Sequence, residues 1–336
     1  MGDILSKSKR LGRVIERAAE MENLRIAFHK ASKGKSNRSE VIFFRENLEY
    51  QLFCIRNELL SGEYELGQYR QFVIYDPKKR IISAAPFRDR VVFHAVMSIC
   101  HDKFESYQVY RSCASRVGKG TYQAIEYVKQ YAKKYKWFTK LDVCHYFDTI
   151  NHEILISQLS KMFKDPLVLN FFSRLLDTYH VKRGEGIPIG NLTSQYFANH
   201  YLAVADHYLL ERIHAKAVVR YMDDYILLSN DRDELLSNVR QFSSYLSEIL
   251  KLKLHNPICN NVKFGIPFLG YVVYPNEIRL NQRSRKRFNM RIRELNSLYE
   301  EGYIDEYCYR NHYNSLRSFV DKANSINFVK NAFVGS

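Results

Sequence analysis

The sequence contains no long apolar run. No stretch approaches the roughly 18 unbroken apolar residues that a membrane-spanning helix requires, and the N-terminus "MGDILSKSKRLGRVIERAAE" has no apolar signal core. The opening "MGDILS" fits the loose pattern for N-myristoylation, but so short a pattern often matches by chance. We therefore expect a cytoplasmic protein with no membrane partner.

Cysteine is also sparse. The six cysteines lie far apart and never form C-x-x-C, so neither a structural zinc site nor a disulfide framework is indicated. The "GKG" at 118–120 does not belong to a P-loop, because Cys113 stands where the upstream glycine is required. Internal repeats and low-complexity linkers are absent as well, which predicts units packed together.

Positive charge, by contrast, is abundant. There are 51 Lys and Arg against 36 Asp and Glu, giving a formal net charge of +15. Two segments are basic without a single acid: "RIAFHKASKGKSNR" at 25–38 with five Lys or Arg, and "RLNQRSRKRFNMRIR" at 279–293 with seven. This balance favours a polyanionic partner such as nucleic acid, with an acidic membrane surface as the alternative.

Local patterns predict a mixture of helices and strands. "FRENLEYQLFCIRNELLSGEY" is helical, with Leu48, Leu52, Ile55 and Leu59 on one face. "QFVIYDPKKRIISAAPF" reads as two strands joined by a turn at residues 76–79, and "KLKLH" and "PFLGYVVY" read as short strands. From Asn281 onward the pattern is helical and basic.

Two adjacent acids interrupt the apolar segment "VVRYMDDYILL". Apolar runs on both sides of Asp223 and Asp224 predict two strands with "MDD" at the tip of a hairpin. Another acid, Asp142, ends the predicted strand in "KWFTKLDV", and two neighbouring strands could bring it next to Asp223. Oxygen ligands without thiolates favour Mg²⁺ and phosphoryl transfer. Pairing with local bases, Lys140 and Arg220, is an equally open alternative.

At these residues the sequence resembles the reverse transcriptase family. "YMDD" between apolar strands is similar to that family's catalytic hairpin, and five further segments occur in the family's order. They are "KKRIISAAPFRDRVVFHA", "YRSCASRVGKGTYQAI", "LDVCHYFDTI", "GIPIGNLTSQYFANHYL" and "FLGYVV". The resemblance implies an α+β right-hand polymerase fold with fingers, a palm whose antiparallel sheet carries the YMDD hairpin, and a helical thumb.

One segment resembles the reverse transcriptases of diversity-generating retroelements in particular. Most family members have a Gln before the glycine of this segment, whereas this chain has Ile189 before Gly190, and "IGNLTSQ" is similar to the version in that group. The resemblance implies error-prone copying of a template-repeat RNA, with mutations directed to template adenines. Since Ile189 cannot make the polar contact of a Gln, lower fidelity is expected.

The resemblance also assigns roles around the reaction centre. Asp142 would bind both of two Mg²⁺ ions, for which Mn²⁺ can substitute. Asp223 would bind the catalytic ion, Asp224 would complete the acidic cluster, and Val143 would offer its backbone. Phe147, five residues after Asp142, matches the bulky gate that excludes a ribose 2′-OH, so deoxynucleotides should be preferred.

Further assignments concern the incoming nucleotide and the nucleic acid. Arg80 and Arg88 match the fingers residues that hold the triphosphate, with a solvated surface arginine as the alternative for each. Ile189 and Gly190 would adjoin the nucleotide, because glycine lets the backbone approach closely. The residues expected to contact template and primer are Lys30, Lys33, Lys35, Arg38, Arg283, Arg285, Lys286 and Arg287.

The family order predicts a basic N-terminal extension over 1–45, fingers over 46–134, a palm over 135–278 and a thumb over 279–336. The expected reaction is RNA-templated DNA synthesis, with template RNA, primer, RNA/cDNA duplex and deoxynucleoside triphosphates as partners. The resemblance also implies a small basic, oligomeric accessory protein, and a bacterial or phage-encoded source. Another bacterial reverse transcriptase, of retron, intron or phage-defence type, and a non-catalytic RNA-binding protein on a polymerase fold are the alternatives.

Overall fold

A computed structural model describes residues 9–75 and 79–323, which divide into two compact units. The first unit takes in the described residues up to Val109, with Val143–His207 and Ser243–Lys253. The second takes in Tyr110–Asp142, Tyr208–Phe242 and the described residues from Leu254 onward. Residues 76–78 of the predicted turn lie outside the described residues. The division into extension, fingers, palm and thumb stays a prediction.

The described chain contains groups of helices and antiparallel strands, which confirms the α+β class. The helices are α1 (Val14–Ala18), α2 (Met21–Ser32), α3 (Ser39–Glu46), α4 (Leu48–Ser61), α5 (Phe87–Tyr107), α6 (Thr121–Ala132), α7 (Tyr146–Thr149), α8 (His152–Met162), α9 (Pro166–Asp177), α10 (Leu192–Glu211), α11 (Arg232–Ile249), α12 (Gln282–Glu300) and α13 (Glu306–Val320). The strands are β1 (Arg70–Tyr75), β2 (Lys79–Ala84), β3 (Trp137–Asp142), β4 (Ala217–Tyr221), β5 (Asp224–Ser229), β6 (Ile258–Asn261), β7 (Ile266–Phe268), β8 (Tyr271–Val273) and β9 (Ile278–Leu280).

The YMDD hairpin belongs to a four-stranded sheet in the second unit. Its order is β4-β5-β3-β6, and every neighbouring pair is antiparallel. Because Phe138 is the partner of Leu228, these two side chains share a face with Ile226, two residues away. All three join Ile125 and Val128 of α6 in one buried cluster. One end of this face is thus fixed by apolar packing, and the other end carries the acids.

A second sheet in the same unit corrects one prediction. The segment "PFLGYVVY" is a tight hairpin of β7 and β8 and not a single strand. Leu269 and Gly270 form its turn with φ values of 48° and 89°. Such turns usually show Asn-Gly or Asp-Gly, so a leucine at the first position hides the signal. The predicted basic helix after Asn281 is confirmed as α12, whose Ser284 N donates to Asn281 Oδ1 at 2.8 Å.

The predicted strand "KLKLH" was also wrong. Only Leu254 makes an isolated bridge there, and Lys251 has φ 55°, which breaks an extended run. The backbone of this segment instead forms hydrogen bonds with Asp142, the last residue of β3, and with Cys144, two residues further on. Lys253 O accepts from Cys144 N at 2.8 Å in the first unit, and His255 N donates to Asp142 O at 2.8 Å in the second.

In the first unit, α4 confirms the predicted helix, with Leu52, Ile55 and Leu59 buried and Leu48 half-buried. The predicted pairing of β1 with β2 is confirmed as well, in antiparallel register.

A single carboxylate in this unit serves two helix N-termini. Asp165 Oδ1 accepts from Leu167 N at 3.0 Å and so caps α9, while Oδ2 accepts from Val14 N at 2.6 Å and Ile15 N at 3.0 Å at the start of α1. Unpaired N–H groups and the helix dipole both favour a negative charge at these positions. Asp165 therefore joins α1 to α9.

None of the helices within residues 9–75 and 79–323 has the length and apolar character needed to cross a membrane.

Candidate active site

A two-residue turn joins β4 to β5 and contains the first of the adjacent acids, while the second begins β5. Tyr221 pairs with Asp224, so Met222 and Asp223 form the tip. Met222 has φ 58°, the left-handed conformation that hairpin turns of this length require and that usually favours glycine. The predicted hairpin is therefore present, and its tip stores some backbone strain.

A buried arginine supports this turn from the other face of the sheet. Arg220 is 1% exposed and stands opposite Tyr225 in the ladder, one position away from the Tyr221 and Asp224 pair. Its Nη1 donates to Met222 O at 3.0 Å. Burying a guanidinium is costly unless it is hydrogen-bonded, so this bond ties a buried charge to the conformation of the tip.

Strand register brings two of the predicted acids together. Asp142 at the end of β3 is the direct partner of Asp224 at the start of β5. Directly opposed residues project from the same face, with Cβ atoms about 4.5–5.5 Å apart. The sequence suggested Asp223 as the neighbour of Asp142, whereas the register gives that position to Asp224 and puts Asp223 in the turn.

Lys140 lies on the same face. It precedes Asp142 by two residues in β3, and its Nζ is 3.2 Å from Asp224 Oδ1. The two side chains are 24% and 26% exposed, so solvent screens this ion pair less than one on the open surface. Of the two local bases that the sequence offered as partners for the acids, Lys140 makes this contact with Asp224.

The donor set at this end of the sheet suits a hard divalent ion. Asp142, Asp223 and Asp224 offer only carboxylate oxygens, which Mg²⁺ and similar ions prefer. Within the described ranges, no group of three His, Cys, Asp or Glu side chains is close enough to form a ready-made metal site. Val143 follows Asp142 directly and is 2% exposed, and because its side chain has no ligand atom, only its backbone carbonyl could bind an ion.

Three of the predicted nucleotide residues, Phe147, Ile189 and Gly190, lie in the first unit, where backbone hydrogen bonds hold two of them. Ile189 O accepts from Ser83 N of β2 at 2.9 Å, and Phe147 O of α7 accepts from Ile187 N at 2.8 Å. Gly190 has φ 114°, and a Cβ there would lie 2.7 Å from Ile82 Cγ2. The loop before α10 therefore packs on β2, the strand that carries Arg80, and glycine is required where it does so.

The two candidate triphosphate arginines have different surroundings. Arg80 is exposed on β2. Arg88 on α5 donates to both Glu58 carboxylate oxygens, at 2.7 and 2.9 Å, and its guanidinium lies 5.0 Å from the centre of the Tyr64 ring. A bidentate pair of this kind fixes a guanidinium strongly. The triphosphate role of Arg88 stays a prediction, with Glu58 as a competing partner that the sequence did not indicate.

The predicted nucleic-acid contacts occupy two regions, each within one unit. Lys30 lies in the last turn of α2, and Lys33, Lys35 and Arg38 lie in the connection to α3. Burial lowers the pKa of Lys35, with smaller contributions from the positive charges of Arg90 and Arg38. Four more lie on α12 in the second unit: Arg283, Arg285, Lys286 and Arg287.

An antiparallel sheet that presents carboxylates from adjacent strands suits divalent-ion chemistry on phosphate groups, and the strongly basic chain suits a nucleic-acid partner. The profile of the family described as "Reverse transcriptase (RNA-dependent DNA polymerase)" matches residues 76–273, more than half of the chain. The chain belongs to the reverse transcriptase family and is thus an RNA-directed DNA polymerase. Family membership implies RNA template binding and the use of divalent metal ions.

Individual relatives are distant. The chain is similar to Protein YkfC of Escherichia coli, with 25% identity over 273 residues, covering 67% of this chain and 71% of that protein. It is also similar to the putative COX1/OXI3 intron 1 protein of Saccharomyces cerevisiae, with 25% identity over 262 residues, covering 72% of this chain but 30% of that protein. Among solved structures, telomerase from Candida albicans in complex with a fragment of telomeric RNA gives a TM-score of 0.46 at 12% identity, covering 68% of this chain and 50% of that chain.

Proposed function

We propose that this chain is the reverse transcriptase of a diversity-generating retroelement, which copies a template-repeat RNA into cDNA with errors directed to template adenines. The observation that carries the polymerase chemistry is the register of β3 and β5, in which Asp142 faces Asp224 beside the turn residue Asp223. The observation that supports the subtype is Ile189 before Gly190 in "IPIGNLTSQ".

The reaction is in-line attack of a primer 3′-OH on a deoxynucleoside triphosphate. Two Mg²⁺ ions, when bound, would activate the attacking oxygen and stabilise the departing pyrophosphate. Asp142, Asp223 and Asp224 supply the carboxylates that hold them, together with the backbone of Val143. Arg80 binds triphosphate oxygens, because a planar guanidinium matches them in geometry and charge.

Sugar and base selection rest on two apolar side chains. Phe147 fills the space of a ribose 2′-OH, so ribonucleotides are rejected by steric exclusion. Ile189 replaces a side chain that could donate and accept hydrogen bonds with one that can do neither. A site that cannot sense polar groups rejects wrong partners weakly, which supports low fidelity.

A second reverse transcriptase type remains a candidate, because one relative is named as an intron protein. The error spectrum separates the two. Sequencing of cDNA made on a defined RNA template should show substitutions concentrated at adenines, and Ile189→Gln should reduce them. Errors spread evenly over the four template bases would favour an intron, retron or phage-defence enzyme.

The partners follow from the same proposal. Template RNA, primer and the RNA/cDNA duplex contact the basic residues of α12 and of the segment from Lys30 to Arg38. A small basic accessory protein, oligomeric in its own right, binds the chain in the bacterial cytoplasm. Co-purification with the product of the neighbouring gene tests this part, and cDNA yield with and without that protein measures its effect.

Primer extension with isosteric variants tests the polymerase chemistry. Asp142→Asn and Asp223→Asn should reduce dNTP incorporation to background while RNA binding, measured by filter retention, stays near wild type. Asp233→Asn, at an exposed position on α11, is the matched control. Full extension by Asp142→Asn would remove the proposed mechanism, and loss of RNA binding in that variant would point to misfolding instead.

A further inference from the structure

The ion pair between Lys140 and Asp224 lies among residues proposed to hold metal. Lys140, Asp142 and Asp224 share one face of the sheet, and Lys140 Nζ already contacts Asp224 Oδ1 at 3.2 Å. Both side chains are about three-quarters buried. This burial distinguishes the pair from an ion pair between fully exposed side chains, which contributes little to stability.

Position within the sheet limits what this lysine can reach. Its backbone is paired on both sides, with Ile226 of β5 and with Ile258 of β6. The side chain therefore rises from a central strand, next to Asp142 along the strand and diagonal to Asp224 across it. An ammonium at this place offsets carboxylate charge that would otherwise be clustered and partly desolvated.

A divalent ion and this ammonium compete for the same carboxylate oxygen. An ion that binds Asp224 must either displace Lys140 or accept a positive charge within a few ångströms. In both cases the lysine weakens the binding of the ion, and in both cases it stabilises the chain before the ion arrives.

We propose that Lys140 is an internal counter-ion of the catalytic carboxylates, which holds Asp224 in the metal-free enzyme and sets the metal affinity of the site by competition. This inference rests on the proposed polymerase chemistry, since it assumes that Asp142 and Asp224 bind the ion. It assigns Lys140 a positioning role and no contact with substrate.

Direct metal binding tests the proposal on the full-length chain without substrate. Free Mn²⁺ is followed by electron paramagnetic resonance during titration of wild type, Lys140→Met and Lys140→Arg. Lys140→Met removes the charge but keeps most of the stem, and should bind Mn²⁺ about five- to tenfold more tightly. Lys140→Arg keeps the charge and should stay within about twofold of wild type.

Two controls make the result specific. Lys136→Met removes an exposed lysine just before β3 and should leave the affinity unchanged. Asp142→Asn should abolish tight binding. If Asp142→Asn binds Mn²⁺ as wild type does, then the proposed metal ligands are wrong, and this conclusion does not depend on the results for the Lys140 variants.

The proposal on Lys140 is overturned if Asp142→Asn loses binding but Lys140→Met binds Mn²⁺ no more tightly than wild type. Thermal unfolding gives a second readout, with Lys140→Gln available should Lys140→Met fail to fold. Without metal the neutral variant should have a lower Tm than wild type, and added Mn²⁺ should raise its Tm by more. An equal rise in both proteins would also contradict competition.

Discussion

Gly190 offers a sharp test of how the nucleotide loop is held. Its φ of 114° lies outside the left-handed region that other residues tolerate, and an added Cβ would lie 2.7 Å from Ile82 Cγ2. Backbone strain of this kind costs about 1–3 kcal/mol, and overpacking adds a comparable amount where neighbours cannot move. Because Ile82 can relieve part of the contact, we expect Gly190→Ala to lower the free energy of unfolding by about 2–4 kcal/mol.

The same substitution should affect function through β2. Ile189 O is bonded to Ser83 N, so a displaced loop disturbs the strand on which Arg80 lies. We expect a higher KM for the deoxynucleotide in steady-state primer extension, with RNA binding unchanged. Urea denaturation monitored by circular dichroism measures the stability change.

Gly34 provides the matched control. It has φ 70°, and nothing lies within 4 Å of the position a Cβ would take. Gly34→Ala should therefore cost only about 1–2 kcal/mol of left-handed strain and leave the nucleotide KM unchanged. Adding Ile82→Ala to Gly190→Ala should restore part of the loss by removing the contact. Equal losses in Gly34→Ala and Gly190→Ala, or no change in KM for the latter, would refute the reasoning.

Two other buried groups give independent predictions. Arg220→Lys keeps a charge but loses the planar donor to Met222 O, so it should lower the free energy of unfolding by about 1.5–3 kcal/mol in urea denaturation. It should also lower kcat more than it changes the nucleotide KM. An unchanged kcat would show that this bond does not determine the conformation of the hairpin tip. Burial lowers the pKa of His200 to about 3. Below its ordinary pKa, this imidazole is therefore protonated in the unfolded chain but stays neutral in the folded chain. Wild type should lose about 2 kcal/mol from this group as pH falls from 6.5 to 5. His200→Leu should reduce this pH dependence of the free energy of unfolding, whereas substitution of the exposed His180 by Leu should not. Parallel stability profiles against pH for wild type and His200→Leu would contradict this prediction.

The features that the sequence predicted correctly are those whose signal is local. The apolar face of α4 repeats at helical spacing, and apolar runs flank the acids of the β4–β5 hairpin, so both can be read within about twenty residues. Asn281 likewise marks the start of α12 by its capping side chain. Each of these elements depends on neighbours in the chain.

The features that could not be predicted from the sequence are contacts between residues far apart in the chain and a turn of unusual composition. Lys140 and Asp224 are far apart in sequence, and only the pairing of β3 with β5 reveals their contact. The bond of Arg88 to Glu58 depends in the same way on the packing of α4 near α5. The hairpin at Leu269 and Gly270 has a leucine where Asn or Asp usually precedes the glycine of such a turn, so the sequence pattern did not separate its two strands.

The register that creates the acidic pair is itself fixed by apolar residues away from it. Phe138 and Leu228 oppose each other on the face that packs on α6, and Asp142 and Asp224 oppose each other four positions further along the same two strands. A slip of one residue would reverse the faces of a whole strand, moving Phe138 out of the core. It would also separate both Asp142 and Lys140 from Asp224. The hydrophobic cluster therefore determines which charged groups meet at the catalytic end, and the chemistry of the site depends on packing that contains no charge.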